Sequence, residues 1–248
     1  MNVAVITAAG KGTRLKGNIS KQFMDIYGKP ILAHTITAFQ NSSTIEEIYI
    51  SVPQDYKELC QKDIIEKYSF NKVKKLVIGG RNRQESVYNA LKELPPFTKL
   101  VSIHDGVRPL VTSEEIDLLI NILIKENKKD HKVKGIIMAA PVMETVKVTD
   151  NNFVSKTIPR DKVWHAQTPQ TFFYEDIIKA HKKAIKDGFT GTDDASLVER
   201  MKCKVYVVRG RHENIKITTP LDLFLAELII TRNVRRSVSY THLTLPTN

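Results

Sequence analysis

Cysteine is nearly absent from the chain: Cys60 and Cys203 stand alone among 248 residues, with no CxxC pair. That excludes a disulfide framework and a four-thiolate zinc site, and it fits a reducing compartment. No apolar run approaches the roughly 20 residues of a membrane span. The start, MNVAVITAAG, lacks a basic n-region, and its apolar stretch is too short for a signal peptide. A cytoplasmic protein with no membrane partner is the expectation. Acidic residues are also outnumbered, 27 against 38 Lys and Arg, for a net charge of +11. Such a surface draws anions, whether nucleotides, sugar phosphates or nucleic acid. Much of the excess lies in runs such as Lys125 to Lys134, which read as a solvated helix end and loop. Aromatics make up only 7% of the chain and few lie near those runs, so nothing marks a nucleic-acid platform.

What is present is an alternation. Val3–Ile6, Ile48–Val52, Leu76–Ile78, Leu100–Ile103 and Ile136–Ala139 are short β-branched runs. Between them, Pro30–Phe39, Tyr56–Tyr68, Gln84–Leu94 and Glu114–Lys125 carry apolar residues at helical spacing, the last behind a Thr112-x-x-Glu115 capping box. This order predicts an α/β fold, a mostly parallel sheet with helices on both faces. From Pro141 to Pro159 the rhythm breaks. Two β-rich runs, Val142–Val148 and Phe153–Ile158, flank Asp150-Asn151-Asn152, which predicts a protruding hairpin at about 141–160. Helices at Glu175–Lys186 and Ala195–Met201, a strand at Val205–Val208 and a helix from Pro220 to about Ile230 complete one domain over 1–232. Residues 233–248 have no clear period and read as a disordered or foreign tail.

Polar clusters collect where strands end, the edge at which open α/β sheets bind ligands. The first strand runs into Ala8-Ala9-Gly10-Lys11-Gly12-Thr13-Arg14-Leu15, with Lys21 following: small residues that let backbone N–H groups approach an anion, beside two cations. Leu15 stands where a dinucleotide fingerprint needs glycine, and Asn18 where a Walker loop needs lysine. Further clusters are Gly79 to Val87 (GGRNRQESV), His104 to Pro109 (HDGVRP), Ala166 to Gln170 (AQTPQ) and Asn214 to Pro220 (NIKITTP).

These motifs, with KQF, GKPIL, WHAQTPQTF, TDDASLVE and NIKITTPLDL in the same order, resemble the 2-C-methyl-D-erythritol 4-phosphate cytidylyltransferase family over about Val3 to Ile230. The resemblance implies a Rossmann-like nucleotidyltransferase fold and a place in isoprenoid biosynthesis by the methylerythritol phosphate pathway. It further implies CTP as nucleotide, Mg2+ as cofactor, a small sugar-alcohol phosphate as acceptor, and a homodimer joined through the β-hairpin arm. Carried over by position, Arg14 and Lys21 hold the triphosphate as the catalytic pair. Ala8, Ala9, Gly10, Gly80, Ser86, Gly106 and Lys216 bind the nucleotide. Asp105, Arg108, Thr145, Arg160, Thr168, Thr192 and again Lys216 surround the acceptor phosphate. Asp105 is the candidate metal ligand, with Mg2+ held mainly by the CTP phosphates. Ser20 and Leu15 stand where the family usually has proline and methionine.

In that chemistry the nucleophile is a phosphate monoester, already ionised near neutrality, so charge neutralisation rather than a general base is required. His104 accordingly reads as a structural residue. Asp105 either binds Mg2+ or anchors its loop, and both readings stay open. Asp193-Asp194 reads as a helix cap, and Trp164 as packing at the base of the arm. Two alternatives remain beside the main reading: a ribitol 5-phosphate cytidylyltransferase, and a basic nucleic-acid-binding module.

Overall fold

The structure, a computed structural model, describes residues 1–10 and 20–241, with side chains up to 234. In chain order the elements are β1 (Asn2–Thr7), β2 (Asp25–Ile26), β3 (Lys29–Pro30), α1 (Ile31–Asn41), β4 (Glu47–Val52), α2 (Lys57–Leu59) and β5 (Val73–Ile78). There follow α3 (Arg83–Lys92), β6 (Leu100–Asp105), α4 (Ser113–Lys129), β7 (Val133–Pro141), β8 (Val146–Asp150) and β9 (Phe153–Ile158). The chain ends with β10 (Trp164–Phe173), α5 (Tyr174–Lys186), α6 (Asp194–Arg200), β11 (Lys204–Arg209) and α7 (Pro220–Thr241).

Seven strands form one sheet in the order β11-β7-β10-β6-β1-β4-β5. The period-2 alternation of β1 sorts its side chains to the two faces. Ala4 and Ile6 join a cluster with Leu32 and Phe39 of α1 and Ile116, Leu119, Ile120 and Leu123 of α4. Val3 and Val5 join the opposite cluster, with Val87 and Leu91 of α3, Ile177 of α5 and Leu197 of α6. Helices therefore cover both faces, as the alternation predicts. The capping box before α4 forms as expected, with Thr112 and Glu115 exchanging side-chain and backbone bonds.

Four features differ from the sequence expectation. β10 lies antiparallel between β6 and β7, near the middle of the sheet. The sequence marks Ala166–Gln170 only as a polar cluster and predicts no strand there, since proline gives a ladder no donor; the strand absorbs it as a register shift between Ala166 and Gln170. The Tyr56–Tyr68 segment is not one regular helix: α2 passes into a π-helical stretch, Cys60–Glu66, whose wider turn brings Cys60, Ile64 and Ile65 all into burial. The first strand of the hairpin begins at Val146 rather than Val142, and Val142 is buried, bonded through its N–H to the carbonyl of Val163. Finally, α7 continues to Thr241, past the helix end expected near Ile230, since neither glycine nor proline interrupts the chain between Ile230 and Pro246.

The hairpin itself turns where expected. Asn151 and Asn152 have φ of 46° and 68°, the left-handed pair a tight two-residue connection demands, which asparagine tolerates. Among the described residues β8 and β9 pair only with each other.

Candidate active site

Along the chain β4 and β5 are laid on one side of β1, and β6 on the other, so the sheet order reverses at β1. The carboxyl ends of β1, β5 and β6 open there into a cleft of about 440 Å3. Ala8, Ala9, Gly10, Lys21, Gly80, Ser86, Asp105 and Lys216, drawn from four separate motifs, all line it.

The nucleotide-loop half is built from backbone. Gly106 N–H donates to the Thr7 carbonyl (2.9 Å) and Ala8 N–H to that of Ser51 (2.8 Å), tying the end of β1 to both neighbouring strands. Gly79 comes so near this turn that a Cβ on it would lie 2.2 Å from that of Ala9. Only glycine permits that approach. Ser86 accepts from Gly80 N–H at 2.9 Å and donates to the Asn82 carbonyl at 2.8 Å, while Asn82 caps α3 through Glu85 N–H. Sequence reasoning passed over Gln22. It is 1% exposed, and its amide donates to the carbonyls of Ala8 (2.7 Å) and Gly10 (3.2 Å), which fixes the loop directly beside Lys21. Arg14 lies outside the described residues.

The other half is a charge cluster around Asp105. Its Oδ1 accepts from Arg83 Nε at 3.0 Å; its Oδ2 meets Lys216 Nζ at 2.9 Å and Arg108 Nε at 3.3 Å. Burial alone would raise this carboxyl, but Arg83, Lys216 and Arg108 outweigh it and hold it far below the carboxylate range. Arg83 is shared with Asp194, whose Oδ2 lies 2.7 Å from Nη1. Beneath the cluster Asp105 N–H donates to Thr168 Oγ1 (3.1 Å), Thr168 donates to His104 Nδ1 (3.0 Å), and His104 Nε2–H donates to the Arg108 carbonyl (3.1 Å). Both ring nitrogens of His104 are thus committed to a neutral imidazole. Burial pushes its pKa down to about 4. The geometry makes it a structural histidine, as the sequence reading has it.

Not every expected residue joins the cleft. Arg108 and Thr168 brace Asp105 from behind, and Gly106 serves as a buried strand-end link. Thr145, Arg160 and Thr192 are exposed and do not line it. Asp193 is the cap of α6, accepting from Ser196 N–H at 3.0 Å, whereas Asp194 turns inward. Trp164, expected as packing, is 41% exposed at the foot of the hairpin. Arg83, Asp194 and Gln22 were missed as site residues. Each lies within a motif of the sequence, Gln22 in KQF, Arg83 in GGRNRQESV and Asp194 in TDDASLVE, but the motif does not tell which of its side chains turns inward.

Among the described residues no three His, Cys, Asp or Glu side chains come together. Asp105 has both oxygens committed to cations. These residues do not fit a protein-held Mg2+, and the geometry favours the anchoring reading of Asp105 over the metal-ligand one.

A largely parallel open sheet whose first βα loop and strand-end cations converge on one cleft defines a Rossmann-like nucleotidyltransferase. A family model described as 2-C-methyl-D-erythritol 4-phosphate cytidylyltransferase matches residues 2–232. Proteins of that name from Caldanaerobacter subterraneus subsp. tengcongensis and Clostridium acetobutylicum are 45% and 44% identical to this chain over 232 and 234 residues. The matches cover 93% and 94% of this chain and 99% of each relative. The crystal structure of the 4-diphosphocytidyl-2C-methyl-D-erythritol synthase of Anaerococcus prevotii superposes with a TM-score of 0.80 at 34% identity, covering 93% of this chain and 96% of that one. The 2-C-methyl-D-erythritol 4-phosphate cytidylyltransferase of Francisella tularensis gives a TM-score of 0.74 at 31% identity, covering 92% and 98%. The chain belongs to the 2-C-methyl-D-erythritol 4-phosphate cytidylyltransferase family. Membership favours the main reading of the sequence over both alternatives, ribitol phosphate transfer and nucleic-acid binding.

Proposed function

We propose that the chain transfers the cytidylyl group of CTP to 2-C-methyl-D-erythritol 4-phosphate, giving 4-diphosphocytidyl-2-C-methyl-D-erythritol and pyrophosphate, and that it acts as a homodimer. The observation that carries the chemistry is one cleft with two differently built halves. The loop Ala8–Gly10 with Gly80 and Ser86 takes the nucleotide, and the cation-ringed Asp105 with Lys216 takes the acceptor. An acceptor phosphate oxygen attacks the α-phosphorus; the bond from that phosphorus to the bridging oxygen breaks, and pyrophosphate leaves with the electron pair. The attacking monoester is already an anion, so no side chain has to remove a proton. Lys21 and Lys216, with Arg14, neutralise charge as it gathers on the leaving group and around the phosphorus. Any Mg2+ in the reaction arrives on the nucleotide phosphates. Pyrophosphate release from CTP, measured with methylerythritol phosphate, with ribitol phosphate and with no acceptor, tests the reading. Release only with the first supports it; equal release with ribitol phosphate overturns the acceptor assignment.

The dimer reading is supported by the hairpin. Phe153 is 79% exposed and Val154 61% on β9, and Val148 is 44% exposed on β8, two strands that among the described residues pair with no other strand. A lone two-stranded ribbon is marginal in water, and large apolar side chains left exposed on it call for a partner surface. Thr145 and Arg160, exposed at the two ends of the hairpin, then reach the acceptor phosphate of the partner's cleft. Lys21→Ala and Arg160→Ala should each be nearly inactive alone. After random subunit exchange about a quarter of wild-type activity per subunit should return, because each heterodimer holds one intact and one doubly damaged site. Heterodimers without recovered activity would overturn the shared site. Among the described residues no helix is long and apolar enough to cross a membrane. A cytoplasmic location is our reading, in keeping with free Cys60 and Cys203.

A further inference from the structure

Behind the acceptor half of the cleft lies a second layer of charge that the proposed chemistry does not use. Asp194 is 1% exposed and His181 is fully buried. They come from different helices, α6 and α5, and meet with His181 Nε2–H donating to Asp194 Oδ1 at 3.3 Å. The ring of Tyr88, on α3, stacks on His181 with centroids 6.0 Å apart. The other Asp194 oxygen holds Arg83 at 2.7 Å, and Arg83 holds Asp105 Oδ1 at 3.0 Å. His181, Asp194, Arg83 and Asp105 thus form one chain of contacts running from the helical layer into the cleft.

A single buried charge behind an active site has a bland reading as a folding element, since burying a carboxylate is tolerated once it is paired. The division of labour among the Asp105 oxygens says more. Oδ2 is taken by two cations, Arg108 and Lys216, whereas among the described residues Oδ1 meets Arg83. Oδ1 therefore keeps a lone pair for a ligand hydroxyl, and the direction of that lone pair is set by where the Arg83 guanidinium sits. Arg83 is itself 28% exposed at the cleft wall and has a long side chain. Among the described residues Asp194 holds its far end, and His181 holds Asp194.

We infer that Asp194, backed by His181, is a positioning residue for the acceptor: it acts through Arg83 to aim Asp105 Oδ1 at a hydroxyl of the sugar-alcohol phosphate. This rests on the proposed function. It separates Asp194 from Asp193, its neighbour, whose carboxylate caps α6 and bonds the Gln170 amide at 2.8 Å.

The test is a split between the two substrates. Asp194→Asn keeps the volume and removes the charge. It should raise KM for the acceptor about ten- to hundredfold, the scale on which a small misplacement acts, while the dissociation constant for CTP without acceptor stays within about twofold. His181→Asn should move acceptor KM the same way by a smaller factor. Because the effect passes through Arg83, Asp194→Asn added to an Arg83→Met background should change acceptor KM no further. That double variant removes both buried charges and provides a folded comparison should Asp194→Asn alone prove unstable. Wild-type pyrophosphate release that depends on the acceptor establishes the reading beneath this one. Its absence would sink both. With wild type active, equal loss for CTP and acceptor, a fall in Tm alone, or additive effects of Arg83 and Asp194 would each overturn the positioning role.

Discussion

Replacing His104 by glutamine tests the protonation logic of the site, because the amide can still accept from Thr168 and donate to the Arg108 carbonyl but cannot titrate. An unfolded histidine ionises near 6.5, whereas burial lowers the folded value to about 4. Between those values the unfolded chain binds a proton that the native chain refuses, so stability falls as pH falls. The contribution is complete above pH 6.5 and spent by pH 4. At about 1.4 kcal/mol per pH unit the window is worth about 3 kcal/mol, of which about 2.5 is lost by pH 4.5. Asp105 and Asp117 are held low in the fold, so what they contribute is kept down to about their unfolded values, near 3.8, and is lost only below the His104 window. His34, also lowered by burial, titrates in both proteins and cancels in their difference. Urea denaturation of wild type and His104→Gln at pH 7.5, 5.5 and 4.5 should therefore show the gap between them shift by about 2.5 kcal/mol in favour of the variant. The pH profile of kcat/KM near neutrality should keep its shape. A constant stability gap would refute the buried neutral imidazole, and a lost ionisation in the profile would refute its structural role.

Lys21→Ala should lower turnover by about a hundredfold or more with Tm little changed, since the charge acts chiefly on the transition state; weaker CTP binding at unchanged kcat would sink that assignment. Gln22→Met, which keeps the bulk but deletes both bonds to the Ala8 and Gly10 carbonyls, should raise KM for CTP by about tenfold and leave acceptor KM alone; an unchanged KM for CTP would show that the loop holds its shape without the clamp.

Much of this was legible in the sequence because it is written locally. The unbroken apolar run Val3–Ile6 gives a strand buried on both faces, Thr112 and Glu115 start a helix, and Asn151-Asn152 close a hairpin. Other features depend on which distant segments the fold brings together. HDGVRP announces a polar strand end, but not that Arg83, 22 residues earlier, and Lys216, on the far side of β11, close on the same carboxylate. β10 is hidden because Gln167, Thr168, Pro169 and Gln170 break the apolar pattern of a buried strand, and their partners, Arg211 for Gln167, His104 for Thr168 and Asp193 for Gln170, come from distant segments. The two roles inside Asp193-Asp194 were indistinguishable for a related reason. At a helix start one residue decides whether a carboxylate caps the first turn or points into the protein, and TDDASLVE satisfies capping with either.

The arrangement around Asp105 also bears on how the cleft can serve two anionic substrates. Arg83, Arg108 and Lys216 could not converge unaided: two unit charges about 4 Å apart repel by roughly 4 kcal/mol at an effective dielectric of 20. One carboxylate contacting all three converts that repulsion into a fixed array, and with Asp194 also counted the cluster keeps one positive charge in excess. Lys21 lines the same cleft. The array is therefore assembled before any phosphate enters, and phosphate binding need not pay for gathering it. The same fact argues against Asp105 as a metal ligand. A divalent ion drawn to its oxygens would have to displace or crowd three cations already in contact, whereas nucleotide phosphates offer it oxygens with no such competition.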